Sequence, residues 1–298
     1  MRWSTRKRIE FIEANLYWEK KISRKDLTDF FDISIPQATK DIKEYSELAP
    51  ENIIYDARAK QYVATKDFVP KMLEPSSEGY LERLKSLKLR GDGQKFFNGT
   101  IPPFYVMPNL SRFVDTEILQ RILEAIRNTE AVKINYQSMS SPQPSARWIT
   151  PHSLAYDESR WHVRSLCHID RKYKDFNLGR ILSILDSREH IFDHSIDYKW
   201  HNEIEITIAP HPLLDEGPKS LIERDYCMDN GQVIVSIKAA FFYYYIKNFG
   251  LKAGHENLPP KEQQIILLNW EETNTKVQML KSMTMQKIQK LPESSFIN

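Results

Sequence analysis

The sequence predicts a multidomain α+β protein, and three patterns carry that reading. The first seventy residues order three short helical stretches ahead of two β-prone runs. Residues 67–112 then read as a connector, rich in Gly, Pro and Asn over 91–109. From Asp115 onward, an amphipathic helix precedes short, closely spaced strands, and strand and helix segments alternate to the end. At 298 residues the chain fits two or three domains. The boundaries expected are 1–66, a helical linker over 67–112, a central domain over 113–200 and a C-terminal domain over 201–298.

The opening helix, "MRWSTRKRIEFIEANLYWEKK", spaces Ile9, Ile12 and Leu16 for burial and gathers Arg2, Arg6, Lys7 and Arg8 before any acid. In "SRKDLTDFF", Ser23 can cap a second helix, with Asp26 three residues on as in a capping box. Ser34 is the expected N-cap of the third helix, and Gln37 stands where it can complete the box. Pro36 falls in the first turn, where a missing N–H does no harm. Ala38, Ile42 and Tyr45, at i, i+4 and i+7, point inward and leave Gln37, Lys40, Lys43 and Glu44 outside. "NIIYDARAKQYVAT" reads as a hairpin turning at Asp56–Ala59.

Three helices followed by a hairpin is the order of a winged helix-turn-helix, whose post-turn helix enters the major groove while the wing touches the backbone. The residues expected at DNA are Arg2, Arg6, Arg8, Ser34, Gln37, Thr39, Lys40, Lys43, Arg58 and Lys60. Gln37 suits base edges, Lys40 and Lys43 suit phosphate or guanine, and Arg58 and Lys60 sit at the wing tip. The same architecture also serves protein contacts, and a net charge of only +2 leaves that alternative open. Local basic placement favours DNA.

In the linker, "SSEGYLERLKSLKLRG" predicts one helix capped by Ser76 or Ser77, with its cations solvated. "GDGQKFFNGTIPPFYVMPN" predicts an irregular crossing segment. In the central domain, "DTEILQRILEAIRN" is amphipathic through Ile118, Ile122, Ala125 and Ile126. "AVKINYQS" alternates Val132, Ile134, Tyr136 and Ser138 against Lys133, Asn135 and Gln137, as a half-buried strand does. "ARWITPHSLAY", "RWHVRSLCH" and "KDFNLGRILSI" follow at close spacing, which suggests a small, strongly bent sheet or barrel. In "RWHVRSLCH" one face carries Trp161, Val163, Ser165 and Cys167, and the other Arg160, His162, Arg164 and His168.

These central residues resemble a WYL domain, an Sm-like β-barrel module of bacterial transcription factors. Trp161-His162-Val163 stands where Trp-Tyr-Leu is usual. With the preceding winged helix, the chain resembles the repressors of phage-defence operons, the BREX and CBASS regulators. The resemblance implies a pocket for a nucleotide-like or nucleic-acid effector that alters DNA affinity. Its matching residues here are Tyr136, Ser138, Arg147, His152, His162, Arg164 and Arg180. Between Lys133 and Arg180 there are 8 Lys/Arg against 4 Asp/Glu, the sign a phosphorylated ligand needs. The alternative is that Arg164 and Arg180 pair with Asp175 or Asp170 and only tie the barrel together.

The last third predicts strands at "EIEITIAPHP", "QVIVSIKAA" and "QQIILLNW". A crossover interrupted by Pro218, a short helix ending near Gly250 and a final helix over 276–290 complete a small α/β sandwich. It resembles the C-terminal extension of WYL proteins, which implies dimerisation. The Phe241–Tyr245 cluster suits either an interface or core packing.

Other chemistry is weakly represented. His190 and His194, with Asp193 between, lack a third regularly spaced ligand, so they read as surface histidines rather than a metal site. No P-loop, dinucleotide fingerprint or nucleophile elbow occurs. Cys167 and Cys227 are far apart and suit a reducing compartment, with Cys167 a buried small hydrophobe. The longest apolar run, Ala239–Ile246, is too short to span a bilayer, and the basic N-terminus is unlike a signal peptide. The expectation is a cytoplasmic, homodimeric repressor without cofactor or metal, its winged helices in successive major grooves of a pseudo-palindromic operator. The alternatives are an activator of the same architecture and a nucleic-acid-processing enzyme component.

Overall fold

The computed structural model describes residues 2–90, 101–108, 110 and 112–297. They fall into two compact units, 1–110 and 111–298. The boundary expected at 200/201 lies inside the second.

In the first unit, α1 (Trp3–Trp18), α2 (Arg24–Phe31) and α3 (Ile35–Leu48) close on one core. Ile9, Ile12 and Leu16 of α1 meet Leu27, Ala38, Ile42 and Tyr45, with the spacing the sequence has. Ser23 and Asp26 form the full capping box on α2. At α3 the box is only half built. Ser34 accepts from the Gln37 backbone N–H, but the Gln37 amide turns to Asp41 instead of reaching back. The wing is β2 (Ile53–Asp56) paired antiparallel with β3 (Gln61–Ala64). A third strand, β1 (Lys21–Ile22), adds to β3, and two residues are too few to show a period in the sequence.

Glu13 of α1 is fully buried, and its carboxylate accepts the backbone N–H groups of Lys71, Met72 and Leu73 at 2.7–2.8 Å and the Tyr45 hydroxyl at 3.1 Å. That satisfies the charge and fastens the start of the linker to α1. The linker helix is α4 (Ser77–Arg90), capped by Ser76, with Leu84 buried and Leu81 exposed. The irregular segment expected after it lies largely outside the described residues.

The second unit opens with α5 (Thr116–Asn128), whose N-cap Asp115 accepts from Glu117 and Ile118. Five strands follow: β4 (Glu130–Tyr136), β5 (Ser145–Tyr156), β6 (Trp161–Cys167), β7 (Lys172–Asn177) and β8 (Ile181–Glu189). All pair antiparallel, in the order β7-β6-β5-β4-β8. Among the described residues the edge strands β7 and β8 share no ladder, so the sheet is open where a closed barrel was expected. Irregularities in the β4–β8 and β5–β6 registers supply the bend. Ile118, Ile122 and Ala125 of α5 pack on Val132, Ile134, Ile149, Val163, Cys167 and Phe176.

The remainder of this unit is a second antiparallel sheet, β10-β9-β11, built from β9 (Glu203–Pro210), β10 (Val233–Lys238) and β11 (Ile265–Leu267). It packs with α7 (Glu216–Asp225), α8 (Phe242–Asn248) and α9 (Trp270–Gln289), after the short α6 (Tyr198–His201). Pro218 is the third residue of α7, where it breaks no hydrogen bond, so it opens the helix instead of interrupting it. Helix α9 starts six residues before the expected Lys276. Phe242 and Ile246 are core, while Tyr243 is exposed, so the aromatic run is split between the two expected fates.

Candidate nucleic-acid interface and the buried cation network

Helix α3 buries Ala38, Asp41, Ile42 and Tyr45 and leaves Ser34, Ile35, Pro36, Thr39, Lys40 and Lys43 exposed. Lys40 has no ion pair among the described residues, and Lys43 makes only a long i,i+4 contact of 3.8 Å to Glu47. At the wing tip, Asp56 accepts the backbone N–H groups of Arg58 and Ala59, which tightens the turn and leaves the Arg58 and Lys60 side chains in solvent. The structure therefore presents cations on the helix and on the wing of one small unit.

Three expected DNA residues are placed differently. Arg8 is a tie between α1 and α3: its Nε and Nη2 donate to Asp41 at 2.6 and 3.1 Å, and Asp41 is fully buried. A buried carboxylate needs that partner. Gln37 donates one amide N–H to the same carboxylate at 2.9 Å, which fixes the orientation of its side chain. Arg6 shares Glu10 with Lys7 at 2.9 and 2.8 Å. Arg2 is exposed just ahead of α1.

In the second unit, the face of β6 expected to be open and cationic is covered. The buried face bearing Arg164 and Leu166 meets the chain beyond β8, with Leu166 against Tyr173, Ile288 and Phe296. Arg164 is 4 % exposed. It donates to both oxygens of Asp197 at 2.7 and 2.9 Å and to Asp175 at 3.1 Å. Asp197 is fully buried and also takes His152 at 3.3 Å. Burial alone would raise its carboxyl, but the hydrogen bonds from His152 and Arg164 hold it down at about 2. Burial disfavours the Arg164 cation, and Asp197 and Asp175 more than offset it, so its pKa is raised. His162 bonds Asp157 at 3.0 Å, and the Tyr244 hydroxyl donates to Asp175.

The seven expected effector residues divide between the two faces of the sheet. Directly opposed residues share a face, so the pairs Ile134↔Arg147 and Ile149↔Cys167 put Arg147 on the α5 side. There its guanidinium lies 5.9 Å from the Tyr136 ring and 3.6 Å from Asp170. Tyr136 is itself core, accepting the Asn177 N–H on its hydroxyl. Ser138 bonds Ser140 just beyond β4, and Arg180 has no ion pair among the described residues. His152, His162 and Arg164 belong to the other face. The ties expected of arginine are thus present for Arg164 and absent for Arg180.

Sequence reasoning missed Asp197 entirely. It lies 33 residues from Arg164, in a stretch without a strand or helix pattern, and carries no local signal. It also took His190 and His194 for surface residues. His190 bridges the Thr150 hydroxyl and the Ser295 carbonyl, and His194 bonds Tyr173, its ring tilted against that of His152 at 4.6 Å. They are held by hydrogen bonds inside the fold, and the described residues contain no group of His, Cys, Asp and Glu fit for a metal. Cys167 is buried as expected. Among the described residues no helix is long and apolar enough to cross a membrane.

An exposed post-turn helix flanked by a cationic wing defines a winged helix-turn-helix protein of the DNA-binding class. Family models agree. Residues 4–86 match the BrxR transcriptional regulator winged helix-turn-helix domain, 117–185 the WYL domain, and 203–273 the BrxR transcriptional regulator C-terminal dimerization domain. The chain is 39 % identical over 272 residues to the DNA-binding transcriptional repressor CapW of Escherichia coli (strain KTE188), covering 91 % of each. It is 36 % identical over 280 residues to that of Pseudomonas aeruginosa, covering 93 % of each. For Stenotrophomonas maltophilia the figures are 34 % over 279 residues, covering 91 % of this chain and 92 % of the relative. The chain belongs to the family of CapW DNA-binding transcriptional repressors, a family of regulators and not of enzymes.

Proposed function

We propose that this chain is a homodimeric, cytoplasmic repressor that binds a pseudo-palindromic operator controlling a phage-defence operon. The observation that carries the reading is the set of cations on α3 and the wing, Lys40, Arg58 and Lys60, that have no ion pair among the described residues, in a unit matching a regulator's DNA-binding domain. Ser34, Thr39, Lys43 and Arg2 complete the contact surface, and Arg8 and Gln37 position it through Asp41. The segments 1–66, 67–112, 113–200 and 201–298 then serve as reader, linker, sensor and dimerisation element.

An anionic effector of nucleotide or nucleic-acid type is part of this proposal. Arg147, Arg180 and Ser138 are the residues assigned to hold it, with Tyr136 beneath. His152, His162 and Arg164 are assigned a different role, as ties from the sheet to Asp197 and Asp157. The central sheet is assigned the Sm-like architecture, which the register shifts on β4 and β5 support.

The test is a gel-shift titration on DNA upstream of the protein's own operon, with scrambled competitor. A discrete complex surviving competitor supports the reading. Candidate nucleotides added to that complex should release it, and Arg180→Ala should leave binding intact while abolishing release. Binding indifferent to sequence would sink the proposal.

A further inference from the structure

Which base edges α3 reads follows from the bonds its side chains already make. We propose that Ile35 is a specificity-determining residue that packs on a thymine 5-methyl group in the operator major groove. The inference rests on α3 being the DNA-reading helix.

Ile35 is the first residue of α3 and is 64 % exposed. The N-terminal residues of a groove helix are the ones that meet base edges. The polar side chains around Ile35 are largely committed inside the unit. The Ser34 oxygen accepts the Gln37 backbone N–H, which turns that hydroxyl toward the helix end. The Gln37 amide donates to Asp41 at 2.9 Å, and Asp41 is locked by Arg8. The Thr39 hydroxyl donates to the Ile35 carbonyl at 2.9 Å.

What remains at the front of α3 is apolar. Ile35, the Pro36 ring and the Thr39 methyl form one exposed patch, with Thr39 one turn beyond Ile35. The flexible ammonium groups of Lys40 and Lys43 flank it. Scattered apolar residues on a surface need no explanation. This one stands where a base reader belongs, beside a glutamine with one amide N–H committed to Asp41. In the major groove the thymine methyl is the apolar feature among hydrogen-bonding groups. An apolar tip on α3 therefore selects a T·A pair by contact, not by a bidentate hydrogen bond.

The experiment compares two versions of the fragment upstream of the protein's own gene, synthesised with dTTP or with dUTP. Uracil keeps every hydrogen-bonding group and loses only the methyl. Gel shifts with scrambled competitor are run for the natural chain, Ile35→Ala and Lys40→Ala. The natural chain should bind the thymine fragment about fourfold more tightly per methyl contacted, the factor expected for burying one carbon. Ile35→Ala should bind both fragments alike, at the level the natural chain shows for uracil. Lys40→Ala should weaken both and keep their ratio, because a phosphate contact ignores the methyl.

Equal binding of both fragments by the natural chain, or an unchanged ratio in Ile35→Ala, overturns the assignment of Ile35. Failure of every protein to bind either fragment specifically overturns the DNA-reading role of α3 itself.

Discussion

The wing unit and the β6 region carry the same residue types to opposite ends. Lys40, Arg58 and Lys60 stand in solvent with no carboxylate partner among the described residues. Arg164 and His162 are buried and His152 is half-buried, and each is bonded to a carboxylate. In the sequence the two sets look alike, as cations alternating with apolar residues. The difference lies in what covers them. α3 is covered on one face only, whereas β6 has the core under α5 on one side and the chain beyond β8 on the other. A cation in a strand buried on both faces must find an acid, and that acid can come from anywhere in the chain.

The sharpest way to break the comparison is to remove the acid. Asp197→Ala leaves Arg164 with Asp175 alone and should destabilise the second unit by about 3–5 kcal/mol, read by urea unfolding of the full chain. A loss below about 1 kcal/mol would mean that Asp197 is not the hub of the network.

Acid should reach the two units unequally. All 8 histidines lie beyond residue 110. Burial, reinforced by His190, pushes His168 down to about 3, and burial with the nearby His152 pushes His194 down to about 4. Both groups therefore bind protons more readily unfolded, where the ordinary value is about 6.5. Stability from keeping them neutral is full above pH 6.5 and is lost as pH falls toward 4 and then 3. Asp197 and Asp157, held at about 2, add a further loss only below about 3.9. Between pH 6.5 and 4.5 the melting of the second unit should fall while that of the first holds. Parallel shifts of two calorimetric transitions would contradict this.

Within the first unit the rule can be tested at smaller scale. Arg8→Ala strips the buried Asp41 of its cation while Gln37 remains, and should cost about 1–3 kcal/mol. Arg6→Ala, at an exposed helix pair, should leave stability nearly unchanged. Equal effects would show that Arg8 is not a tie. The smallest stability change is expected at Lys40→Ala, within about 0.5 kcal/mol, with its effect confined to DNA affinity.

Local signals made most of the fold legible. Ser23 with Asp26, Ser34 and Asp115 mark helix starts because a capping side chain must lie within three residues of the N–H groups it satisfies. The alternation of Val132, Ile134 and Tyr136 marks β4 for the same reason of short range. The candidate site was legible where exposure follows from a helix period, as at Lys40 and Lys43. It was illegible wherever a partner is distant. Asp41 decides the fate of Arg8 from another helix, and Asp197 decides that of Arg164, each pair being 33 residues apart. The two-residue strand β1 and the open β7–β8 edge belong to the same class, being set by tertiary pairing and not by pattern.

The central claim is that the exposed cations of α3 and the wing, and not the basic strand of the central sheet, hold DNA. Salt titration of operator affinity tests it most directly, comparing the natural chain with a Lys40→Ala, Arg58→Ala double variant. Each phosphate contact contributes about 0.9 to the slope of log affinity against log salt. The double variant should bind more weakly and show a slope shallower by about four, two contacts being lost from each protomer of the dimer, with melting unchanged. A slope and affinity equal to those of the natural chain would place the DNA contacts elsewhere and contradict the claim.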